Sequence, residues 1–208
     1  ALVIEGKNSI ALSDCTVSGS MTDQGTSSDE NIHTVMIYQS MSGDAQVGTS
    51  TFTMEGGSLT GTAGDLFYIT NTHSIITLKN AALSNLDPSG ALLRVVGNSV
   101  SRGWGTAGSN GAQVELTAQA QTLEGNIFVD TISTLNLTLE DGTEFTGTVN
   151  ILDNAQSSAA VDNNAVVTIR EGCTWTLTGD CTITSLTNNG TLNLNGYTIT
   201  LADGTVIR

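Results

Sequence analysis

Asp130 and Asp153 carry the most specific chemistry this chain can be expected to perform. Each ends a short apolar run, NIFVD (126–130) and VNILD (149–153). The repeat described below puts them at one corner on adjacent coils, about 4.8 Å apart by strand spacing. Two ionised carboxylates that close repel, and need a cation, a shared proton or strong hydrogen bonds. Such a pair suits a Ca²⁺ site or an acid/base pair acting on a glycosidic bond. Turn capping is the simpler role, as for Asn71 and Asn98 at equivalent places, so no cofactor is expected. A polysaccharide lyase would add a base, for which Arg94 is the nearest candidate, alone on the matching face. Glu140 and Asp141 complete the acidic candidates, in an EDG turn where acids are common for conformational reasons. His33 and His73 have no partners at useful spacing and are expected in loops or turns. No Ser-His-Asp set, P-loop or dinucleotide fingerprint occurs.

Ligand binding points to other residues. In SRGWG (101–105), glycines flank Trp104, whose indole can stack on a sugar ring while Arg102 donates to hydroxyls or carboxylates. The alternative is that Trp104 folds back over the structure with Arg102 beside it. Tyr38 and Tyr68 sit on equivalent strands and form either an exposed aromatic shelf or part of the core. Thr-x-Thr pairs such as Thr51/Thr53 and Thr174/Thr176 would order water only on a shared face. The repeat spreads them over different faces, and strand propensity already accounts for threonine.

These residues must be positioned by short strands. One pattern recurs: alternating apolar residues, a turn, then an apolar residue near Ser/Thr-Gly. It appears as IALSDCTVSG (10–19), FTMEGGSLTG (52–61), ITLKNAALSN (76–85), LTLEDGTEFTG (137–147), VTIREGCTWTLTG (167–179) and LNLNGYTITL (192–201). VELTAQAQTLEG (114–125) is a looser copy. The shorter separations, about 23–25 residues, fit one coil of a three-sided solenoid with three strands and three turns. Longer ones coincide with insertions near 20–33, 97–111 and 153–164. A second strand lies between copies, in TVMIYQ (34–39), LFYITN (66–71), LLRVVGN (92–98), NIFVD, VNILD and CTITS (181–185). Aligning Ile37, Ile69, Val96, Phe128, Ile151 and Ile183 places Gln39, Asn71, Asn98, Asp130, Asp153 and Ser185 at one polar corner. A period of two and abundant Thr, Val and Ile exclude a helical fold, and an antiparallel sandwich is the rival. The expected fold is all-β: a right-handed parallel β-helix over residues 1–208, as a piece of a longer chain.

Composition narrows the function. Six basic residues against twenty acidic ones, a net charge of −14, repel nucleic acid and anionic lipid. No run approaches the roughly 20 apolar residues that span a membrane. Three cysteines, Cys15, Cys173 and Cys181, argue against a complete disulfide framework. Cys173 and Cys181 either pair locally or are small core residues.

Residues 102–151, RGWGTAGSNGAQVELTAQAQTLEGNIFVDTISTLNLTLEDGTEFTGTVNI, resemble repeats in large adhesin-like surface proteins of gut commensal bacteria. The resemblance implies a pectate-lyase-like right-handed β-helix at the cell surface or outside the cell. It supplies no catalytic residue. The expected function is a non-enzymatic, adhesin-like scaffold binding glycans or host or microbial surface proteins, beside other domains of the parent chain. The alternative is a carbohydrate-active enzyme, a lyase or glycoside hydrolase, using carboxylates on one face.

Overall fold

The computed structural model describes residues 1–20, 32–97, 108–154, 156 and 160–208. Among them the chain is all-β, with no helix. Strands form where Thr, Val and Ile alternate with inward apolar residues. His73–Lys79 shows the pattern, burying Ser74, Ile76 and Leu78.

The first sheet contains β1 (Leu2–Glu5), β4 (His33–Tyr38), β7 (Asp65–Thr70), β10 (Leu93–Val96), β13 (Ile127–Asp130), β16 (Val149–Leu152), β19 (Cys181–Ile183), β22 (Ile199–Leu201) and β23 (Val206–Ile207), in that order. The second contains β2 (Ser9–Ser13), β5 (Ser50–Glu55), β8 (His73–Lys79), β11 (Gln113–Gln119), β14 (Thr134–Glu140), β17 (Ala165–Ile169) and β20 (Ser185–Asn188). The remaining strands make two shorter sheets. One holds β3 (Thr16–Gly19), β6 (Ser58–Gly61) and β9 (Ala82–Asn85). The other holds β12 (Thr122–Glu124), β15 (Glu144–Thr146), β18 (Thr174–Thr176) and β21 (Thr191–Asn193). The chain visits the sides in cyclic order, so each strand from β4 to β22 pairs with the one three places earlier, except β12 with β9. Those pairs are parallel, as in β4 with β7 and β8 with β11. Only the terminal β22–β23 pair is antiparallel among the described residues. This cyclic pairing is consistent with a β-solenoid and not with an antiparallel sandwich.

The core is a set of stacked columns. Ile4, Ile37, Ile69, Val95, Val129 and Ile151 align in the first sheet. Ile10, Phe52, Ile76, Leu116, Leu137, Val167 and Leu186 align in the second. Leu123, Phe145, Trp175 and Leu192 line the third side. There the Phe145 and Trp175 rings stack 5.6 Å apart, and Trp175 Nε1 donates to Gly147 O at 3.1 Å.

These registers correct the repeat in three places. The looser copy starts at Leu116, not Val114, because Leu116 faces both Ile76 and Leu137. LNLNGYTITL is not a second-sheet copy: Leu192 pairs with Trp175, Ile199 with Cys181, and Leu186 holds the second-sheet place. Two laps, Leu116 to Leu137 and Val167 to Leu186, are therefore shorter than the expected period. The six second strands do share one sheet, but Val95 and Val129, not Val96 and Phe128, align with Ile69 and Ile151.

The third side is divided between β9 and β12, which belong to different sheets. At the preceding corner a side chain replaces main-chain pairing. Gln121 Oε1 accepts from Ala81 N at 2.9 Å, and Gln121 Nε2 donates to Ala81 O at 2.6 Å and Thr122 O at 2.8 Å. The amide satisfies Ala81 N and O as a neighbouring strand would.

All three cysteines are free, and Cys173 and Cys181 are buried. Burial pushes the Cys181 thiol up from 9.0 to about 11. A thiol-specific disulfide reagent at pH 8 is therefore expected to label Cys15 in the folded protein and spare Cys173 and Cys181. Equal labelling of Cys181 would contradict its placement. A raised folded-state value also favours the neutral thiol. The associated stability is complete below pH 9 and falls as pH rises through about 11, and Cys181→Ala should flatten that alkaline decline.

Candidate functional site

The structure separates the expected carboxylate pair. Asp130 is in register with Leu152, not Asp153. Asp130 is 5% exposed, whereas Asp153 is exposed. Asp130 Oδ2 accepts from Gly97 N and Asn154 Nδ2, both at 2.7 Å, which is a turn-capping arrangement. Its Oδ1 is buried without a hydrogen-bond partner. Among the described residues, no three His, Cys, Asp or Glu side chains gather closely enough to hold a metal ion. A Ca²⁺ site or acid/base pair on Asp130 and Asp153 lacks the stacking on which it was expected.

Arg94 is not a lone base. Its Nε donates to Asp65 Oδ2 at 2.7 Å and its Nη2 to Asp65 Oδ1 at 3.2 Å. Its guanidinium also lies 5.0 Å from the Phe128 ring centre. Asp65 further accepts from Ala91 N at 2.8 Å, and His33 Nδ1 lies 3.5 Å from Oδ2. The His33 ring stacks on Tyr68 at 4.1 Å. Tyr68 is 2% exposed and faces Met36 and Arg94, while Tyr38 faces Thr70. The two tyrosines therefore form no exposed shelf. Asn98, Arg102 and Trp104 lie outside the described residues.

A different group comes together at the corner between the first and second sheets. His73 opens β8, facing Gln113, which opens β11. The preceding lap brings Thr49 beside them, because Ser50 faces Ser74. Thr49 Oγ1 lies 3.1 Å from His73 Nδ1, and His73 Nε2 lies 3.1 Å from Glu115 Oε1. His73 is thus a strand residue with two partners, contrary to the expectation for it.

Residues 39–49 form the outer wall, an excursion that the expected insertions missed. It is pinned to the first lap by Lys7 N donating to Gln46 O at 2.7 Å. Within it Ser42 and Ser40 donate to Asp44, holding that carboxyl below its usual value. Gln39 Nε2 reaches Ala45 O at 3.3 Å. Asn71, at φ 53°, donates through Nδ2 to Gln39 O at 2.7 Å and accepts from Asn110 Nδ2 at 3.1 Å. The polar corner thus runs through Gln39, Asn71 and Asn110.

The result is a recess of about 370 Å³ lined by Gln39, Val47, Gly48, Thr49, Asn71, Thr72, His73, Gly111 and Gln113. Among the described residues no Asp, Glu, Lys or Arg lines it, although the chain carries a net charge of −14. Its amides and hydroxyls can donate and accept hydrogen bonds, which suits binding more than bond cleavage. A strand-opening polar residue repeated lap after lap was the available signal.

The outer surface of the second sheet carries one further regularity. Thr53, Thr77, Thr117, Thr138, Thr168 and Thr187 form a single column. A search for Thr-x-Thr pairs does not find it, because the column takes one threonine per lap. A neighbouring column contains the exposed pair Lys79–Glu55 at 2.6 Å and the Glu140–Arg170 pair at 2.8 Å. Stacked β-branched residues beside cross-strand ion pairs are what a stable sheet surface needs.

No family model, curated protein or solved structure matches the chain.

Proposed function

We propose that the chain is a right-handed parallel β-helix serving as a rigid, non-enzymatic scaffold of an adhesin-like protein outside the cell or at its surface. The handedness follows from the strong preference of parallel strand crossovers for the right-handed path. The partners are glycans or host or microbial surface proteins, with other domains of the parent chain alongside. The recess, lined among the described residues without a carboxylate, lysine or arginine, carries this reading. It offers hydrogen bonds on a stiff frame. The out-of-register Asp130 and Asp153 weigh against the alternative of a carbohydrate-active enzyme.

A glycan and surface-protein array, run beside reducing-sugar and unsaturated-product assays, tests the proposal. Binding without turnover is the expected result. Turnover that disappears in Asp130→Asn or Asp153→Asn would replace the scaffold with an enzyme.

A further inference from the structure

We infer that the recess between residues 39–49 and the starts of β8 and β11 binds the hydroxyl groups of an uncharged sugar. This inference rests on the reading of the chain as a binding module and names the ligand class of one site.

Charge makes the first selection. An anionic ligand would meet a strongly acidic protein and, among the described residues, no lysine or arginine in the lining. Among the described residues a cationic ligand would find no carboxylate in that lining, and the neighbouring Glu115 is already engaged by His73 Nε2 at 3.1 Å. The lining instead presents the amides of Gln39, Asn71 and Gln113, the Thr49 hydroxyl and the His73 imidazole. Each amide holds a donor and an acceptor in one plane, and so can bond a hydroxyl in either sense.

One lining side chain is almost wholly buried. Gln39 is 7% exposed, lines the recess, and its Oε1 has no hydrogen-bond partner. A buried acceptor of this kind costs about 1–3 kcal/mol when left unsatisfied. Val47, 78% exposed at the rim, offers the C–H face of a sugar an apolar contact. The volume, about 370 Å³, falls within the roughly 300–1,000 Å³ of small-ligand sites.

His73 is the positioned member. Thr49 on one ring nitrogen and Glu115 on the other set its orientation. The same chain of groups could in principle activate the Thr49 hydroxyl, so the test must include turnover.

The experiment titrates the whole chain with methyl glycosides of neutral hexoses and N-acetylhexosamines, using galacturonate and glucosamine as charged comparators. A neutral glycoside should bind at least tenfold more tightly than either comparator. Gln113→Ala and His73→Ala, both at non-core positions, should each weaken binding tenfold or more with unchanged circular dichroism. Gln119→Ala, outside the recess lining, should leave it unchanged. Preference for a charged sugar would overturn the inference. Binding that survives both recess variants would also overturn it and leave the module reading intact. No binding to any glycan or surface protein would overturn both. Hydrolysis of 4-nitrophenyl acetate lost in Thr49→Ala would overturn it by making the recess catalytic.

Discussion

Asp65→Ala should lower the unfolding free energy by up to roughly 3–5 kcal/mol, the cost of removing one partner from a fully buried ion pair, because Asp65 is buried while Arg94 is 30% exposed. The Asp65 side chain is 6% exposed and accepts two hydrogen bonds from Arg94 and one from the main chain of Ala91. Without it, the Arg94 charge keeps its desolvation penalty and loses its partner. The Ala91 N–H also loses its acceptor. Asp65→Asn should cost less, because an amide oxygen still accepts from Ala91 while the charge is lost. The Asp65→Leu/Arg94→Met double variant should recover part of the loss, since two apolar groups leave no orphaned charge. Lys79→Ala is the control, breaking an exposed pair and shifting stability by less than about 1 kcal/mol. Denaturant midpoints of the four variants decide the matter. An Asp65→Ala midpoint indistinguishable from that of Lys79→Ala would show that the cluster contributes nothing to stability.

Gln121→Ala should be almost as damaging, again roughly 3–5 kcal/mol, through two orphaned main-chain groups at about 1–3 kcal/mol each. Gln121 is 2% exposed and Ala81 5% exposed, so water does not readily replace the lost bonds. Ala81 N loses the acceptor at 2.9 Å and Ala81 O the donor at 2.6 Å. Gln121→Glu keeps the shape but sets a carboxylate oxygen against the Ala81 carbonyl, so it should not rescue. Gln119→Ala, two residues earlier and outward-facing, should stay within about 0.5 kcal/mol. Hydrogen exchange adds a spatial reading. In Gln121→Ala, protection should fall first in β9 and β12, where the third side is already divided. Loss spread evenly over all laps would assign the division to some other cause.

The periodic elements were legible in the sequence because a strand needs only local information. Alternation of apolar and polar residues, with Thr, Val and Ile, located the inward faces of ITLKNAALSN and LTLEDGTEFTG. The six runs from TVMIYQ to CTITS were assigned to one sheet for the same reason. Charge and composition needed no structure either. The site was much less legible. Lateral register depends on how many residues each corner takes up, and Leu93–Val96 and Ile127–Asp130 each slide by one place relative to a simple alignment. A slip of one turns every side chain to the opposite face and changes which side chains are neighbours. It is enough to separate Asp130 from Asp153.

The amino-acid order alone determined that this chain makes short strands with one apolar face, a thin core and an acidic surface. Only the tertiary structure decided which polar groups meet: Asp65 with Arg94, Gln121 with Ala81, and His73 with Thr49 and Glu115. The physical reason is distance along the chain. A strand's pattern is set by neighbours two residues apart, whereas these contacts join different laps, and corner lengths that follow no period decide which laps align.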